Sequence, residues 1–179
     1  MIISMIRDMT KIVVPTFLIG LFISSCNEEE NEPQTTNSAI VGVWECVSLD
    51  YTGTTQTEFL GQSTNADFVG EANNIDFTYT ISENPNIATS EGIYDVELTT
   101  TLLGITTTQT IENIAFDFVG SWSLSGSQMS VTNDGISQEL TIIELTENSL
   151  ILNILEEDST TISDVTSITT IDLDIVFSK

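Results

Sequence analysis

The 179-residue chain contains no histidine and only three basic residues, Arg7, Lys11 and Lys179. Histidine is the commonest general base and the commonest transition-metal ligand, so its absence excludes histidine-based catalytic and metal sites. The 27 acidic residues give a formal charge of −24. Such a chain repels nucleic acid, whose binding depends on Lys and Arg at phosphates. We therefore expect no nucleic-acid partner.

Cysteine is also scarce, since Cys26 and Cys46 are the two examples in the chain. Cys26 has a separate explanation below, which leaves Cys46 without a partner and argues against a disulfide framework. No Lys, Arg or His stands near Cys46 in the sequence to activate its thiol. We interpret Cys46 as a small buried hydrophobic residue.

No motif for catalysis or phosphate binding occurs in the chain. Paired carboxylates could serve a glycosidase, but no spacing selects one pair among so many acids, and no Gly-rich turn carries a Lys for phosphate. Calcium prefers oxygen ligands, but residues 133–135 and 156–158 lack the spacing of a calcium loop, so we interpret them as hairpin and loop residues. We expect a non-enzymatic protein with no cofactor and no metal. A hydrolase built on oxygen ligands is the weakest alternative.

Long hydrophobic runs are absent apart from residues 12–23, which follow Arg7 and Lys11. This run is shorter than the roughly 20 residues that span a bilayer, and it is typical of a signal peptide. Ile23-Ser24-Ser25-Cys26 comes next and resembles the lipobox of bacterial lipoproteins, whose cysteine is acylated and becomes the mature N-terminus. The resemblance implies a lipoprotein signal peptide at residues 1–25, lipidation at Cys26, and a membrane partner through the lipid. An ordinary secretory signal and an uncleaved anchor are the alternatives.

Cleavage before Cys26 would remove Arg7, Lys11 and Asp8, which leaves 26 acids against Lys179 and a formal charge of −25. Residues 26–39 have almost nothing to bury, so they predict a flexible acidic tether. The acidic run within this tether is similar to the export signal of surface-exposed lipoproteins of the Bacteroidetes. The expected location is the cell envelope, lipid-anchored in the outer membrane, on its periplasmic or its outer face.

Residues 40–179 alternate between apolar and polar side chains, which indicates β-strands with one buried face. Residues 75–81 and 171–177 are clear examples, and the alternation of residues 114–118 predicts a further strand. Turn signals divide the chain at residues 82–86, 103–104, 125–127, 133–135, 146–148 and 156–160. The pattern predicts about eight to ten short strands at hairpin spacing, in an antiparallel barrel or sandwich.

Gly42-x-Trp44 opens the first strand, Gly120-x-Trp122 opens a hairpin, and a strand–turn–strand ends in Leu-Ile-Leu at residues 150–152. This order resembles the lipocalin-like lipoproteins of the Bacteroidetes. The resemblance implies an all-β, antiparallel up-and-down β-barrel of about eight strands over residues 40–179. In lipocalins an Arg on the last strand packs over the Trp. No Arg follows Arg7, and Lys179 is a poor substitute, so we expect the barrel base to close differently.

A barrel of about eight strands has an interior that is either filled or holds one small ligand. The candidate ligand-lining residues are Phe77, Tyr79, Tyr94, Phe116, Phe118 and Trp122. The first hypothesis is a non-enzymatic, lipid-anchored envelope lipoprotein that binds a small hydrophobic or amphipathic ligand. The alternative is a surface-exposed structural or interaction module with a filled barrel and no small ligand. The sequence identifies no protein partner.

Overall fold

The computed structural model describes residues 37–179. These residues form one short helix, α1 (Asn37–Ile40), and nine β-strands. In most of the strands buried and exposed side chains alternate, as in strands with one face on a core, whereas the fourth strand is almost entirely exposed. The strands are β1 (Gly42–Phe59), β2 (Gln62–Ser82), β3 (Ile87–Leu102), β4 (Ile105–Ile114), β5 (Gly120–Ser125), β6 (Gln128–Asn133), β7 (Ile136–Leu145), β8 (Ser149–Ile162) and β9 (Val165–Ser178).

The strands form one antiparallel sheet in the order β2-β1-β9-β8-β7-β6-β5-β3-β4. A further pairing joins β2 to β3, so eight strands close a ring in the order β1-β2-β3-β5-β6-β7-β8-β9, and β4 lies beside β3 outside that ring. The all-β, antiparallel barrel predicted from the sequence is therefore confirmed.

The ring is much taller on one side than on the other. β5 and β6 have 6 residues each, whereas β2 has 21. Ile87 and Ala88 of β3 pair with β5 in the closed barrel, while residues 94–102 pair with β4. Beyond the closed barrel, β4, β3, β2, β1, β9 and β8 continue as an open six-stranded extension. Within residues 37–179, no further strand pairs with the outer edge of β4 or of residues 157–162.

Register shifts interrupt the long strands where the closed barrel gives way to the extension. They lie between Glu45 and Asp50 of β1 and between Asn73 and Asp76 of β2. A bulge of this kind bends a strand and increases its twist. We attribute the change from a closed ring to an open, curved sheet in part to these bulges.

The turn predictions at residues 82–86, 103–104, 125–127, 133–135 and 146–148 are confirmed, because strands end and begin there. The loop predicted at residues 156–160 is wrong, since the β8–β9 pairing continues to Ile162 and Val165. The strand predicted at residues 114–118 is also wrong. β4 ends at Ile114, and residues 115–119 connect it to β5 without regular secondary structure, although Phe116 and Phe118 still point into the core.

Candidate functional site

The barrel interior is packed with aromatic rings and aliphatic side chains, and all of the predicted ligand-lining residues are buried in it. Neighbouring ring centroids lie 5.1 to 6.2 Å apart, which is direct contact between rings. The cluster consists of Phe77, Tyr79, Tyr94, Phe116, Phe118 and Phe177. Trp122 is buried on β5 and donates from Nε1 to the Ser82 carbonyl at 2.8 Å. The structure brings the predicted residues together as a packed core, and their role as ligand contacts stays a prediction.

The two tyrosines of this cluster are held as neutral phenols. Burial raises the pKa of Tyr79 well above its usual range, and its hydroxyl donates to the Phe118 carbonyl at 2.8 Å. Burial also raises the pKa of Tyr94, and the nearby Tyr51 and Asp117 add to the shift. Neither group therefore supplies a base or a nucleophile near neutral pH.

Trp44 closes the base of the barrel, with its ring buried and its Nε1 donating to the Ile40 carbonyl at 2.8 Å. Lys179 packs over this ring, with Nζ 4.0 Å from the ring centroid and 3.2 Å from the Val41 carbonyl. The sequence predicted that Lys179 is a poor substitute for the lipocalin Arg and that the base closes differently, but Lys179 does take the position over Trp44, so that expectation is wrong. Lysine fits because Gly42 leaves space for its stem: a Cβ at Gly42 would lie 2.6 Å from Lys179 Cε.

Above the aromatic core, the inward side chains of the extension form a surface that we call the inner trough. Two aromatic rings lie flat against glycines of the neighbouring strand, Tyr51 over Gly70 and Phe68 over Gly53. A Cβ at either glycine would meet the ring at 2.1 to 2.3 Å, so both positions need glycine. Tyr51 and Phe68 are half-buried, with ring centroids 6.1 Å apart. They leave an apolar floor that is open on one side.

Carboxylates and hydroxyls line the inner trough beside this floor. Glu156 lies opposite Ile171, and Asp158 lies opposite Thr169, whose hydroxyl is 3.1 Å from that of Thr55. Burial raises the pKa of Glu156; Asp158 adds to the shift, and a hydrogen bond from Gln138 opposes it. The trough therefore presents aromatic faces on β1 and β2 and, across β9, two acids on β8, an arrangement suited to an amphipathic ligand with a donor or cationic group.

The sequence reasoning missed Tyr51 and Phe68 as site residues. The alternation of the sequence could have placed them on the inner face, because every second residue of β1 from Tyr51 and of β2 from Ala66 faces inward. The glycines at positions 53 and 70 break the apolar alternation at the points where the rings of the neighbouring strand lie. Which ring covers which glycine depends on strand register, which alternation does not give.

The outer face of the extension carries a row of exposed carboxylates on four neighbouring strands. Glu97 lies opposite Glu71, Glu71 opposite Asp50, and Asp50 opposite Asp174. Asn153 then donates to Asp172 at 2.6 Å and to Asp174 at 2.9 Å. A row of charges on this face is costly in hydrocarbon, so we expect the outer face to contact water.

Cys46 is partly buried in the wall of the closed barrel. Burial raises the pKa of its thiol to about 12, with a smaller contribution from Asp50. In residues 37–179 no three or more His, Cys, Asp or Glu side chains are grouped so that they could hold a metal ion. This part of the chain also holds no helix long and apolar enough to cross a bilayer. Cys26, the predicted signal peptide and most of the predicted tether lie outside the described part.

No protein-family model and no curated protein matches the chain. Among solved structures, the chain has a weak likeness to Ail, the attachment invasion locus protein of Yersinia pestis. The sequence identity is 9%, the TM-score is 0.25, and the match covers 78% of this chain and 100% of that one. A likeness of this size carries no argument about function.

Proposed function

We propose that the protein is a non-enzymatic, lipid-anchored envelope protein that binds a small amphipathic ligand in the inner trough. One observation carries the binding proposal: the aromatic cluster fills the closed barrel, whereas the rings of Tyr51 and Phe68 stay half-open above it. Apolar ring faces left partly open beside polar groups are typical of ligand sites. The apolar part of the ligand would lie on these rings.

The polar part of the ligand would meet Glu156 and Asp158. A half-buried carboxylate without a cationic partner is costly, and burial raises the pKa of Glu156 accordingly. A bound cation or hydrogen-bond donor would offset that cost. The ligand class supported best is therefore an amphiphile with a positively charged or donor-rich head.

The test uses a cationic amphipathic dye whose fluorescence rises in apolar surroundings, added to the full acylated chain. We expect saturable binding that weakens on Phe68→Ala and on Glu156→Gln. Val69→Ala and Glu157→Gln are matched controls, because these neighbours are exposed on the opposite face of the same strands. Glu157→Gln removes the same charge as Glu156→Gln, so equal weakening by both variants would show non-specific attraction and refute the trough site.

Anchoring by lipid is supported by the residues 23–26 and by the charged outer face. This charged face repels anionic headgroups, so it adds no membrane affinity and the lipid supplies the anchor. Cys26→Ser is expected to abolish incorporation of labelled fatty acid and the processing that depends on it. Unchanged labelling would refute the lipidation site.

A structural or interaction module with a filled barrel is the second candidate function. It is favoured by the ring-to-ring contacts of the closed barrel, where neighbouring centroids lie as close as 5.1 Å. Dye binding that ignores every trough substitution would favour this candidate over the ligand-binding one.

A further inference from the structure

Three hairpin turns at the end of the extension farthest from α1 carry exposed apolar side chains. Phe59 pairs with Val165, which places the β1–β2 and β8–β9 turns side by side. Leu102 pairs with Ala66, so the β3–β4 turn lies beside β2 a few residues away from the β1–β2 turn. We call this group the apolar end; its exposed members are Phe59, Leu60, Leu102, Leu103, Ile105 and Ile162.

Leu60 and Leu103 occupy the tips of two of these turns in a backbone conformation that leucine rarely adopts. Their φ angles are 51° and 50°, and each is followed by a glycine with positive φ. Leucine has no polar group to compensate the Cβ clash of this conformation. The other non-glycine residues with positive φ in residues 37–179 are all small and polar: Asn74, Asn84, Asn113, Asp134 and Ser163.

The β6–β7 turn shows that this geometry does not require leucine. Asp134 and Gly135 have φ angles of 51° and 80°, almost the same as the 50° and 80° of Leu103 and Gly104. Asp or Asn before Gly is the usual choice for such a turn. Leu60 and Leu103 are nevertheless 76% and 82% exposed. Two strained and exposed leucines at equivalent turns point to a contact outside the chain.

The apolar end is also the least charged part of a strongly acidic chain. Across residues 59–66, 101–108 and 161–166, the one charged side chain is Asp164. Moving these turns out of water therefore desolvates almost no charge. The contact partner that fits is itself apolar, in contrast to a partner for the acidic outer face.

We propose that the apolar end inserts into a lipid bilayer, the one carrying the anchor. The leucines project from separate turns, and fluid acyl chains accommodate projecting side chains without a preformed complementary pocket. This choice of occupant rests on the proposed lipidation of Cys26. The residues from Cys26 to Asn37, where α1 begins, reach up to about 40 Å when extended. β1 spans roughly 55 Å along its strand, or about 40 Å along the barrel axis at the usual strand tilt, so the anchor leaves the apolar end within reach.

The experiment places a nitroxide label at position 103 through Leu103→Cys, in the full acylated chain reconstituted in phosphatidylcholine vesicles. Asp134→Cys is the matched control, because it labels a turn of the same backbone geometry with a polar side chain. We expect the ratio of oxygen to nickel-complex collisions to be several-fold higher at position 103 than at 134. Equal ratios at the two positions would overturn the proposal.

Two further readings separate the remaining explanations. Spin–spin broadening at position 103 that grows with protein density would show contact between copies, which also overturns bilayer insertion. The variant Leu60→Asn/Leu103→Asn keeps residues that accept positive φ, so it folds, and we expect it to transfer between vesicles several-fold faster. Mass spectrometry of the same samples reports acylation of Cys26, so a failed anchor is distinguished from turns that do not insert.

Discussion

The contact between Lys179 and Trp44 gives the sharpest test of how the barrel base is closed. The change is Lys179→Met, which keeps the aliphatic stem over Gly42 and removes the charge. With Nζ 4.0 Å from the ring centroid and an exposed lysine, the cation–π term contributes about 0.5–1 kcal/mol. The lost hydrogen bond to the Val41 carbonyl at 3.2 Å adds a further ~1 kcal/mol. The total expected loss of unfolding free energy is about 1.5–2 kcal/mol.

A double-mutant cycle with Trp44→Leu isolates the cation–π term. Trp44→Leu alone is expected to cost about 3 kcal/mol, because it opens a cavity in a buried site and leaves the Ile40 carbonyl without its donor. The hydrogen bond to Val41 does not depend on the ring, so the coupling between the two changes is the 0.5–1 kcal/mol cation–π term.

The assay is equilibrium urea unfolding of the full chain, followed by far-ultraviolet circular dichroism. If the loss in the double mutant equals the sum of the two single losses to within about 0.3 kcal/mol, the scatter of independent sites, Lys179 does not stabilise the fold through the Trp44 ring. If Lys179→Ala lowers the free energy of unfolding by the same amount as Lys179→Met, the packing of the lysine stem over Gly42 contributes nothing.

Three other predictions concern the walls of the barrel. Glu71→Gln relieves repulsion from its two directly opposite acids and should stabilise the fold by about 0.2–1 kcal/mol, with a smaller gain at high salt. Glu91→Gln is the control and should change stability little, because Glu91 lies opposite a threonine. Equal effects of the two variants would contradict repulsion within the row of carboxylates. Because burial raises the Cys46 pKa to about 12, iodoacetamide at pH 8 should alkylate Cys46 in the unfolded chain but not in the folded one. Rapid alkylation of Cys46 in the folded chain would contradict the burial of this thiol. Gly70→Ala places a Cβ 2.1 Å from the Tyr51 ring and should lower the free energy of unfolding by about 1–3 kcal/mol, measured with urea. An unchanged unfolding midpoint would contradict the β1–β2 register that sets Tyr51 opposite Gly70.

Much of the fold follows from local pattern. Alternation with a period of two predicts strands, because successive side chains of a strand point to opposite faces, and residues 75–81 and 171–177 lie in β2 and β9 as expected. Turn residues such as Asp134-Gly135 mark hairpins because they accept positive φ. Alternation was misleading at residues 114–118, where Phe116 and Phe118 enter the core without a strand partner.

The site was predicted less completely than the fold. The large aromatic residues were expected in the barrel interior, and they are there because burial of aromatic rings dominates core energetics. Tyr51 and Phe68 were not singled out, since their surroundings are glycines contributed by the neighbouring strand. Glu156 was assigned to a loop because the five consecutive polar residues 156–160 resemble one, but the pairing with β9 holds it in β8.

The sequence by itself determined most strand positions, most turns, the strongly acidic composition and the one lipobox-like segment, because these depend on near neighbours in the chain. Tertiary structure decided everything that depends on which strands pair. It placed β4 outside the ring, made the barrel taller on one side, and brought Lys179 onto Trp44 from the opposite end of the barrel sequence. It also gathered Leu60 and Leu103 at one end. Strand pairing decides which residues far apart in the sequence become neighbours, and local sequence patterns do not specify that pairing.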